Sequence, residues 1–322
     1  MNFTAVIAQG AFVTMALLTL VACGGGSGGG VAVGIESAQN GQLSVGITDA
    51  ELEDVTAVWV TFTAVTLKPQ DGDQLEFDLD PAVEVNLLTL SDGTYMPLLE
   101  AESVPAGRYN WIRLHVAAAE DGSIADAFVK TKVGGMEELE IPSALQNGLR
   151  LVSGFTVLAG QHTRLVIDWD LKKALVYPGS GGAWKLRPAL RITDLAIFGR
   201  IEGAVAPGLF DSGLDCNYDA TLDSGNAVYA YERVVSEGVV SVPDDIDGDA
   251  GDPYATAMVK FDADANEYRY AFEFMKVGEY TLAFTCQAAN DSPENDDTID
   301  FTVLANAVTV VDDQTTQAPR FE

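Results

Sequence analysis

The chain has 322 residues, of which 48% are hydrophobic and 20% are charged, a composition typical of a globular protein with about two domains. Its 48 acidic and 18 basic side chains give a net charge of −30 at pH 7, which repels phosphate backbones and argues against nucleic-acid binding. The same charge disfavours direct adsorption to anionic lipid headgroups, so attachment to a membrane would need another device.

The N-terminal segment predicts export. Residues 11–22 are almost wholly apolar, but about a dozen residues cannot span a hydrocarbon core, which needs roughly 20 in a helix. Such a block is typical of a signal-peptide core. Residues 20–23, Leu-Val-Ala-Cys, resemble the lipobox of bacterial lipoproteins. That resemblance implies cleavage before Cys23 and a diacylglyceryl, palmitate-bearing anchor on its thiol.

The residues around this segment bear on the same prediction. A Gly/Ser tract at 24–30 is typical of a flexible tether, whereas a buried helix with a chance cysteine is seldom followed by one. Gly24 after the cysteine, by the same resemblance, implies the outer membrane. One feature departs from the pattern, because the first basic residue is Lys68 and signal peptides normally begin with Lys or Arg.

The next segments predict β-strands. Residues 43–47 alternate apolar and small side chains with period two, and residues 58–62 continue this pattern. A phase change near Ala64 predicts a bulge. Residues 109–116 predict another strand, with Tyr109 and Trp111 on the face opposite its apolar side chains. Many short strands between Gly, Pro and Asp turns predict a sandwich.

Several of these segments resemble one bacterial lipoprotein family, catalogued as domain of unknown function 4382. That family's mark is a strand ending in Thr-Asp-Ala-Pro, and here Thr48, Asp49 and Ala50 are followed by Glu51 instead of Pro. Residues 104–109, 165–170 and 186–188 also match. The resemblance covers about residues 42–195 and implies a β-sandwich without an assigned activity.

A second, more acidic module is predicted from residue 198. Residues 201–322 carry 25 acidic and 5 basic side chains, which favours a separate module. Residues 199–205 and 277–282 resemble the prealbumin-like sandwiches found beside carboxypeptidases and in surface proteins. The first module repeats their Gly-x-Tyr form at 107–109. The predicted organisation is an all-β chain of two tandem sandwiches, with signal peptide 1–22, linker 23–41, sandwiches 42–197 and 198–311, and a disordered tail 312–322.

Two cysteines remain besides Cys23. Cys216 and Cys286 lie in the acidic module, and an exported pair of this kind predicts a disulfide. Closing a loop of about 70 residues would stabilise the module by roughly 4 kcal/mol. A thiol nucleophile would need a nearby base, yet both histidines, His115 and His162, lie in the first module.

Two groups of acidic residues in the first module are candidate sites. Asp168 and Asp170 stand two residues apart on one strand face, as an acid–base pair could, although a solvated strand end has the same pattern. Asp49 is expected to accept backbone N–H bonds in an Asx-turn.

The acidic loop at 244–252 is the candidate metal site. Asp245, Asp247 and Asp249 have the alternation of a calcium loop, but the Gly and Glu of an EF-hand are missing at the sixth and twelfth positions. Two alternatives stay open, a looser Ca²⁺ site joined by residues 290–291 or 296–297, and a solvated acidic loop. No other cofactor is predicted.

The function expected from the sequence is a non-enzymatic cell-envelope lipoprotein with a binding or structural role. Its expected partners are the membrane, through the lipid anchor, and an envelope protein or glycan. The alternative is a carbohydrate-binding accessory lipoprotein, since Tyr109 and Trp111 could stack on sugar rings. A hydrolase using Asp168 and Asp170 is the third possibility.

Overall fold

The computed structural model describes residues 40–49, 52, 55–91, 93–117, 124–133, 135–142, 148–177, 183–210, 225–233, 244–246, 251–293, 295–303 and 308–322. Residues 38–322 group as one compact unit. Within the described residues, regular structure is almost entirely β, as predicted. The exceptions with stated bounds are the four-residue α-helix Leu171–Ala174 and the 3₁₀ turns Leu87–Thr89 and Pro207–Leu209.

The first half of the described chain forms two sheets. One sheet has the order β13-β10-β1-β4, and the other has the order β11-β12-β7-β6-β2-β5-β8, with β3 added to β2 and β9 added to β5. The strands are β1 (Asn40–Asp49), β2 (Val55–Pro69), β3 (Leu75–Asn86), β4 (Met96–Pro105), β5 (Gly107–Ala117), β6 (Ala127–Thr131), β7 (Met136–Glu140), β8 (Leu149–Leu151), β9 (Phe155–Val157), β10 (His162–Trp169), β11 (Leu175–Val176), β12 (Trp184–Leu186) and β13 (Leu190–Asp194).

The second half forms two further sheets. Their orders are β17-β18-β14-β22 and β16-β15-β19-β20, with β21 added to β19. The strands are β14 (Phe198–Val205), β15 (Ala227–Glu232), β16 (Ala255–Met258), β17 (Lys260–Asp262), β18 (Glu267–Lys276), β19 (Gly278–Thr285), β20 (Thr302–Val303), β21 (Val308–Val310) and β22 (Thr315–Gln317).

Each half encloses its own apolar core between its two sheets. The first core includes Leu43, Phe62 and Trp169, and the second includes Ile201 and Phe284. Alternation along the strands supplies these side chains, because successive residues of a strand point to opposite faces. We call the halves the first and second sandwich. Their division into domains at residue 198 stays a prediction.

The predicted bulge in β2 is confirmed. The pairing register of β2 with β3 and with β5 shifts between Phe62 and Ala64. The shift moves the inward face from even to odd positions, so Val60 and Phe62 before it and Val65 and Leu67 after it are all fully buried. An extra residue near Ala64 therefore lets the strand keep an apolar inward face from Val58 to Leu67.

The prediction that Tyr109 lies on the face opposite the apolar side chains of β5 is wrong. Its register against β2 shifts by one residue between Trp111 and Tyr109, which places a bulge at Asn110. The shift turns Tyr109 inward, where it is fully buried and stacks on Phe155 at 4.9 Å. Period two alone could not predict this reversal, since it assumes an unbroken strand.

The prediction of a disordered tail at 312–322 is also wrong. Strand β22 pairs in parallel with β14, and Phe321 is 1% exposed in the core of the second sandwich. The segment is mostly polar, and only Ala318 and Phe321 pack into or against the core, so its order depends on pairing with β14, more than 100 residues earlier in the chain.

The two sandwiches share two features. In each, the first strand pairs in parallel with a later one, β1 with β10 and β14 with β22. In each, the tyrosine of a Gly-x-Tyr segment donates its hydroxyl to a carbonyl four residues earlier, Tyr109 to Pro105 at 2.7 Å and Tyr280 to Lys276 at 2.9 Å. The same hydrogen bond therefore holds the start of β5 in the first sandwich and of β19 in the second, as in a tyrosine corner.

Candidate functional site

The predicted carboxylate pair lies where the first sandwich meets the second. Asp168 pairs with Arg191 on the neighbouring strand β13, with Nε 2.6 Å from Oδ2. Both side chains are largely buried, and the guanidinium also lies 4.9 Å from the ring centre of Tyr254 in the second sandwich. Burial lowers the pKa of Arg191, but the adjacent Asp168 carboxylate and Tyr254 more than offset this, so the pKa is raised. Arg191 therefore stays charged beside the Asp168 carboxylate.

Asp170 has a different set of partners. It is the N-cap of the helix Leu171–Ala174, accepting from the backbone N–H of Lys173, and it also accepts from the backbone and hydroxyl of Thr256 on β16. Burial raises the pKa of Asp170, Lys173 lowers it, and the neighbouring Asp168 raises it further. The carboxylate thus joins the two sandwiches instead of facing solvent, as a solvated strand end would.

Three basic side chains near this helix reach carbonyl groups of the second sandwich. Lys172 donates to the carbonyl of Asp291 at 2.9 Å, and Lys173 donates to that of Pro253 at 2.7 Å. Arg187 donates to the carbonyl of Pro293. Each bond holds a loop of the second sandwich against the first, so the loop backbone is fixed at several points.

The interface continues along β13 and β18. Thr193 donates its hydroxyl to the carbonyl of Phe274 at 2.9 Å, and this bond is buried. Phe274 has a φ of 48°, a left-handed conformation that costs a bulky residue about 1 to 3 kcal/mol. The register of β14 against β18 shifts beside it. The strained residue therefore presents its carbonyl to the first sandwich, and the contact with Thr193 helps to offset the strain.

The family motif residues lie next to this interface. The hydroxyl of Thr48 lies 2.9 Å from the carbonyl oxygen of Leu90 and 2.6 Å from that of Thr94, so its one proton lies between two acceptors. Asp49 accepts from the backbone N–H of Leu171 at 3.2 Å. Asp49 thus accepts a backbone N–H, as predicted. That N–H belongs to a residue 122 positions further along the chain. Ala50 lies outside the described residues. The motif fixes the end of β1 to the start of the helix.

The acidic loop brings one predicted metal-ligating residue together with two from another loop. Carboxylate oxygens of Asp245, Asp291 and Asp297 lie within 4.8 Å of one another. Asp247 and Asp249 lie outside the described residues. Asp291 and Asp297 come from the two segments, 290–291 and 296–297, that the sequence analysis named as alternatives for joining the acidic loop.

Each carboxylate of this cluster also accepts a backbone N–H. Asp291 accepts from Ile246 at 3.1 Å, Asp245 accepts from Asp297, and Asp297 accepts from Ser292 at 2.7 Å. Tyr229 donates its hydroxyl to Asp291. Burial raises the pKa of Asp291, while its hydrogen bond from Tyr229 lowers it. These hydrogen bonds connect the loop at 244–246 with the loop at 291–297, and they do not require a cation.

A cleft of about 600 Å³ opens beside these loops, and we call it the Tyr177 cleft. One wall comes from the first sandwich, from the β6–β7 hairpin and the residues around β11 and β12, and the other wall is residues 289–293. Tyr177 is 67% exposed, and its ring meets that of Trp184 edge to face at 5.0 Å. Trp184 is buried and donates its indole N–H to Glu137 at 3.1 Å. The sequence did not single out this aromatic pair, because its two members are separated by residues 178–183.

Tyr109 and Trp111, the aromatic pair identified from the sequence, do not form a shared exposed surface for stacking on a sugar ring. Tyr109 is buried, and the ring of Trp111 carries the guanidinium of Arg113 at 4.7 Å from its centre. The predicted joint stacking of Tyr109 and Trp111 on a sugar is therefore wrong, because the bulge at Asn110 separates their faces.

The cysteines are only partly described. Cys23 and Cys216 lie outside the described residues, and Cys286 is 8% exposed in the core of the second sandwich. Lipidation and the Cys216–Cys286 disulfide stay predictions. Within the residues that the structure describes, no helix has the length and apolar character needed to cross a membrane.

Residues 40–188 match the family described as "Domain of unknown function (DUF4382)". This segment of the chain belongs to that family. The DUF4382 match confirms the resemblance predicted for about residues 42–195 and spans β1 to the end of β12, including the motif at Thr48 and Asp49 and the carboxylates of Asp168 and Asp170. No curated protein matches the chain. The likeness of the second sandwich to prealbumin-like modules stays a prediction.

Three solved structures align with most of the chain that contains the DUF4382 domain, at low similarity. The fimbrial anchor protein Mfa2 from Porphyromonas gingivalis is 12% identical, with 82% of each chain covered and a TM-score of 0.17. A fimbrial protein from Bacteroides ovatus is 10% identical, with 88% of this chain and 51% of that chain covered and a TM-score of 0.17.

The third is a leucine-rich repeat protein from Bacteroides thetaiotaomicron, 11% identical, with a TM-score of 0.20. The alignment covers 88% of this chain and 26% of that protein, so the chain spans about a quarter of its length. TM-scores this low carry no conclusion about the function of this chain.

Proposed function

We propose that the chain is a non-enzymatic lipoprotein of the cell envelope, anchored through Cys23, whose two sandwiches act as one body in binding or in envelope structure. The observation that carries this proposal is that the carboxylates of Asp168 and Asp170 are both buried and hydrogen-bonded to other side chains. Both are at most 4% exposed and both are engaged at the interface between the sandwiches.

The geometry of these carboxylates favours a joining role over hydrolysis. A general acid or base must come within hydrogen-bond reach of the group whose proton it transfers. Asp168 is held by Arg191, and Asp170 accepts from Thr256 and from the helix that it caps. Their partners lie on separate strands, so the pair contributes to keeping β10, β13 and β16 in place.

The anchor is supported by the lipobox at residues 20–23 and by the charge of −30, which leaves acylation as the means of attachment that the sequence offers. The test is expression of the full chain and of its Cys23→Ala variant in a bacterial host with labelled palmitate. We expect label in the membrane fraction for the natural chain and none for the variant. An unmodified N-terminal peptide in cytosolic material would contradict the proposal.

An exported location also predicts the Cys216–Cys286 disulfide. Peptide mapping without reductant is expected to recover one linked peptide pair from the envelope fraction. Reduction is expected to lower the free energy of unfolding by roughly 4 kcal/mol. Alkylation of both cysteines before any reduction would exclude the bond.

The binding or structural role is tested in intact cells. Chemical cross-linking followed by purification of the full chain is expected to recover a defined envelope partner, and Cys23→Ala is expected to lose it because the protein no longer sits at the membrane. Turnover of a substrate that Asp168→Asn and Asp170→Asn abolish, without loss of folding, would instead establish a hydrolase.

A further inference from the structure

We infer that the Tyr177 cleft binds an uncharged saccharide. This inference rests on the proposed binding role and names its ligand class and its site. It moves the expected carbohydrate contact from Tyr109 and Trp111 to Tyr177 and the other residues that line the cleft.

The size and position of the cleft are those of a ligand site. Its volume of about 600 Å³ lies within the range of roughly 300 to 1,000 Å³ that small-molecule pockets occupy. It also lies where two sandwiches meet, a common place for such pockets.

The wall contributed by the second sandwich is fixed before any ligand arrives. Lys172 and Arg187 of the first sandwich hold the carbonyls of Asp291 and Pro293, and the side chain of Asp291 is held in turn by Tyr229. Because these hydrogen bonds already restrict residues 289–293, the segment loses little conformational entropy when a ligand binds, and more of the contact energy appears as affinity.

Tyr177 offers an aromatic surface inside this rigid frame. The ring is 67% exposed, and its edge-to-face contact with Trp184 leaves at least one ring face uncovered by that indole. Trp184 is itself fixed by its bond to Glu137. A saccharide ring has an apolar C–H face that packs on such a surface, and its hydroxyl groups remain free for polar contacts.

The charges that line the cleft favour a neutral ligand. Among the lining residues that the structure describes, the basic Lys132 and Lys172 are equal in number to the acidic Glu137 and Asp291, although the whole chain carries −30. Exposed Asn290 adds an amide with donors and an acceptor. Hydroxyl groups can both donate and accept hydrogen bonds, so a polyhydroxylated ligand uses this mixed lining without leaving a charge unpaired.

The test uses the full chain with Cys23→Ser, to keep it unacylated, on an array of neutral oligosaccharides of glucose, galactose, mannose and N-acetylglucosamine beside sialylated and sulfated glycans. We expect saturable binding to at least one neutral glycan. Calorimetric titration with that glycan is then expected to show binding at least about tenfold weaker for Tyr177→Ala, because the stacking surface is gone. Tyr177→Phe is expected to bind as well as the unsubstituted protein.

Trp111→Ala is the matched control, because it removes an aromatic ring from a residue that does not line the cleft. It is expected to leave affinity unchanged, and thermal unfolding checks that each variant is folded. The inference is overturned by an array with no binding, by binding confined to acidic glycans, or by a titration in which Tyr177→Ala matches the unsubstituted protein. Palmitate labelling of Cys23 is a separate measurement, so failure of the saccharide site and failure of the lipoprotein proposal are distinguishable.

Discussion

Thr256 donates two hydrogen bonds to one buried carboxylate, that of Asp170, which lies 86 residues earlier in the chain. The backbone N–H reaches Oδ2 at 3.2 Å and the hydroxyl reaches Oδ1 at 2.9 Å. Both residues are at most 4% exposed, so water does not compete for these bonds. The junction between the two sandwiches therefore depends on buried polar contacts, which are costly to break one partner at a time.

Removing the Thr256 hydroxyl tests that dependence. Thr256→Val keeps the shape of the side chain but leaves the Asp170 carboxylate one donor short, so we expect the free energy of unfolding to fall by about 1 to 3 kcal/mol. Urea denaturation measures it. Thr316→Val is the matched control, because its hydroxyl bond to Thr309 is exposed, and it is expected to change stability by no more than about 0.5 kcal/mol. Equal losses in the two variants would contradict a special role for Thr256.

The raised pKa of Asp170 predicts a pH dependence of stability. Burial and the nearby Asp168 make the folded protein hold this proton more tightly than the unfolded chain, whose carboxyl has the ordinary pKa of 3.8. Well below pH 3.8 both states are protonated and the contribution of Asp170 is constant. As pH rises from 3.8 through the higher folded pKa, the unfolded chain releases the proton first and stability falls.

The measurement is the difference in free energy of unfolding between the natural chain and Asp170→Asn, taken across that pH range. We expect the natural chain to lose stability relative to the variant as pH rises. Asp291, whose pKa is also raised, is present in both proteins, so its contribution cancels in the difference. A difference that does not change with pH, or that rises, would exclude this role for Asp170.

Arg191 is expected to be among the most sensitive residues at the interface. Arg191→Met leaves the Asp168 carboxylate buried without its cation, which costs about 3 to 5 kcal/mol. Arg269→Met is the control, because its ion pair with Asp262 is exposed at the surface, where water and salt screen it, so we expect this variant to leave stability nearly unchanged. The double variant Asp168→Leu with Arg191→Met should recover much of the loss, as measured by a double-mutant cycle. No recovery would mean that Arg191 stabilises the protein through its other contacts.

The acidic cluster gives a fourth prediction. Asp297→Asn weakens the charge-assisted bond to the Ser292 N–H, so we expect a lower melting temperature in the absence of calcium. The same variant also tests the calcium prediction made from the sequence. A rise in melting temperature at millimolar CaCl₂ that occurs in the natural chain and not in Asp297→Asn would confirm a calcium site. An equal response of the two proteins would refute it.

Much of the local architecture could be predicted from period-two patterns. The buried faces of β1 and β2 and the bulge before Ala64 follow from the order of apolar residues alone. The candidate site could be predicted only in part. Asp168, Asp170 and Asp245 were identified, and residues 296–297 were one of two alternatives for joining Asp245, but Arg191 and Thr256 were not identified as partners. The three partners, Arg191, Thr256 and Asp297, lie 23, 86 and 52 residues further along the chain.

The sequence by itself determined the all-β class, the membership of residues 40–188 in one family and the expectation of a lipid anchor, because each depends on neighbouring residues. Only the tertiary structure decided that Tyr109 is buried, that residues 315–317 pair with β14 and that Tyr177 borders a cleft. The physical reason is that a one-residue bulge reverses a strand face, while sheet edges and clefts bring together residues that no local pattern connects.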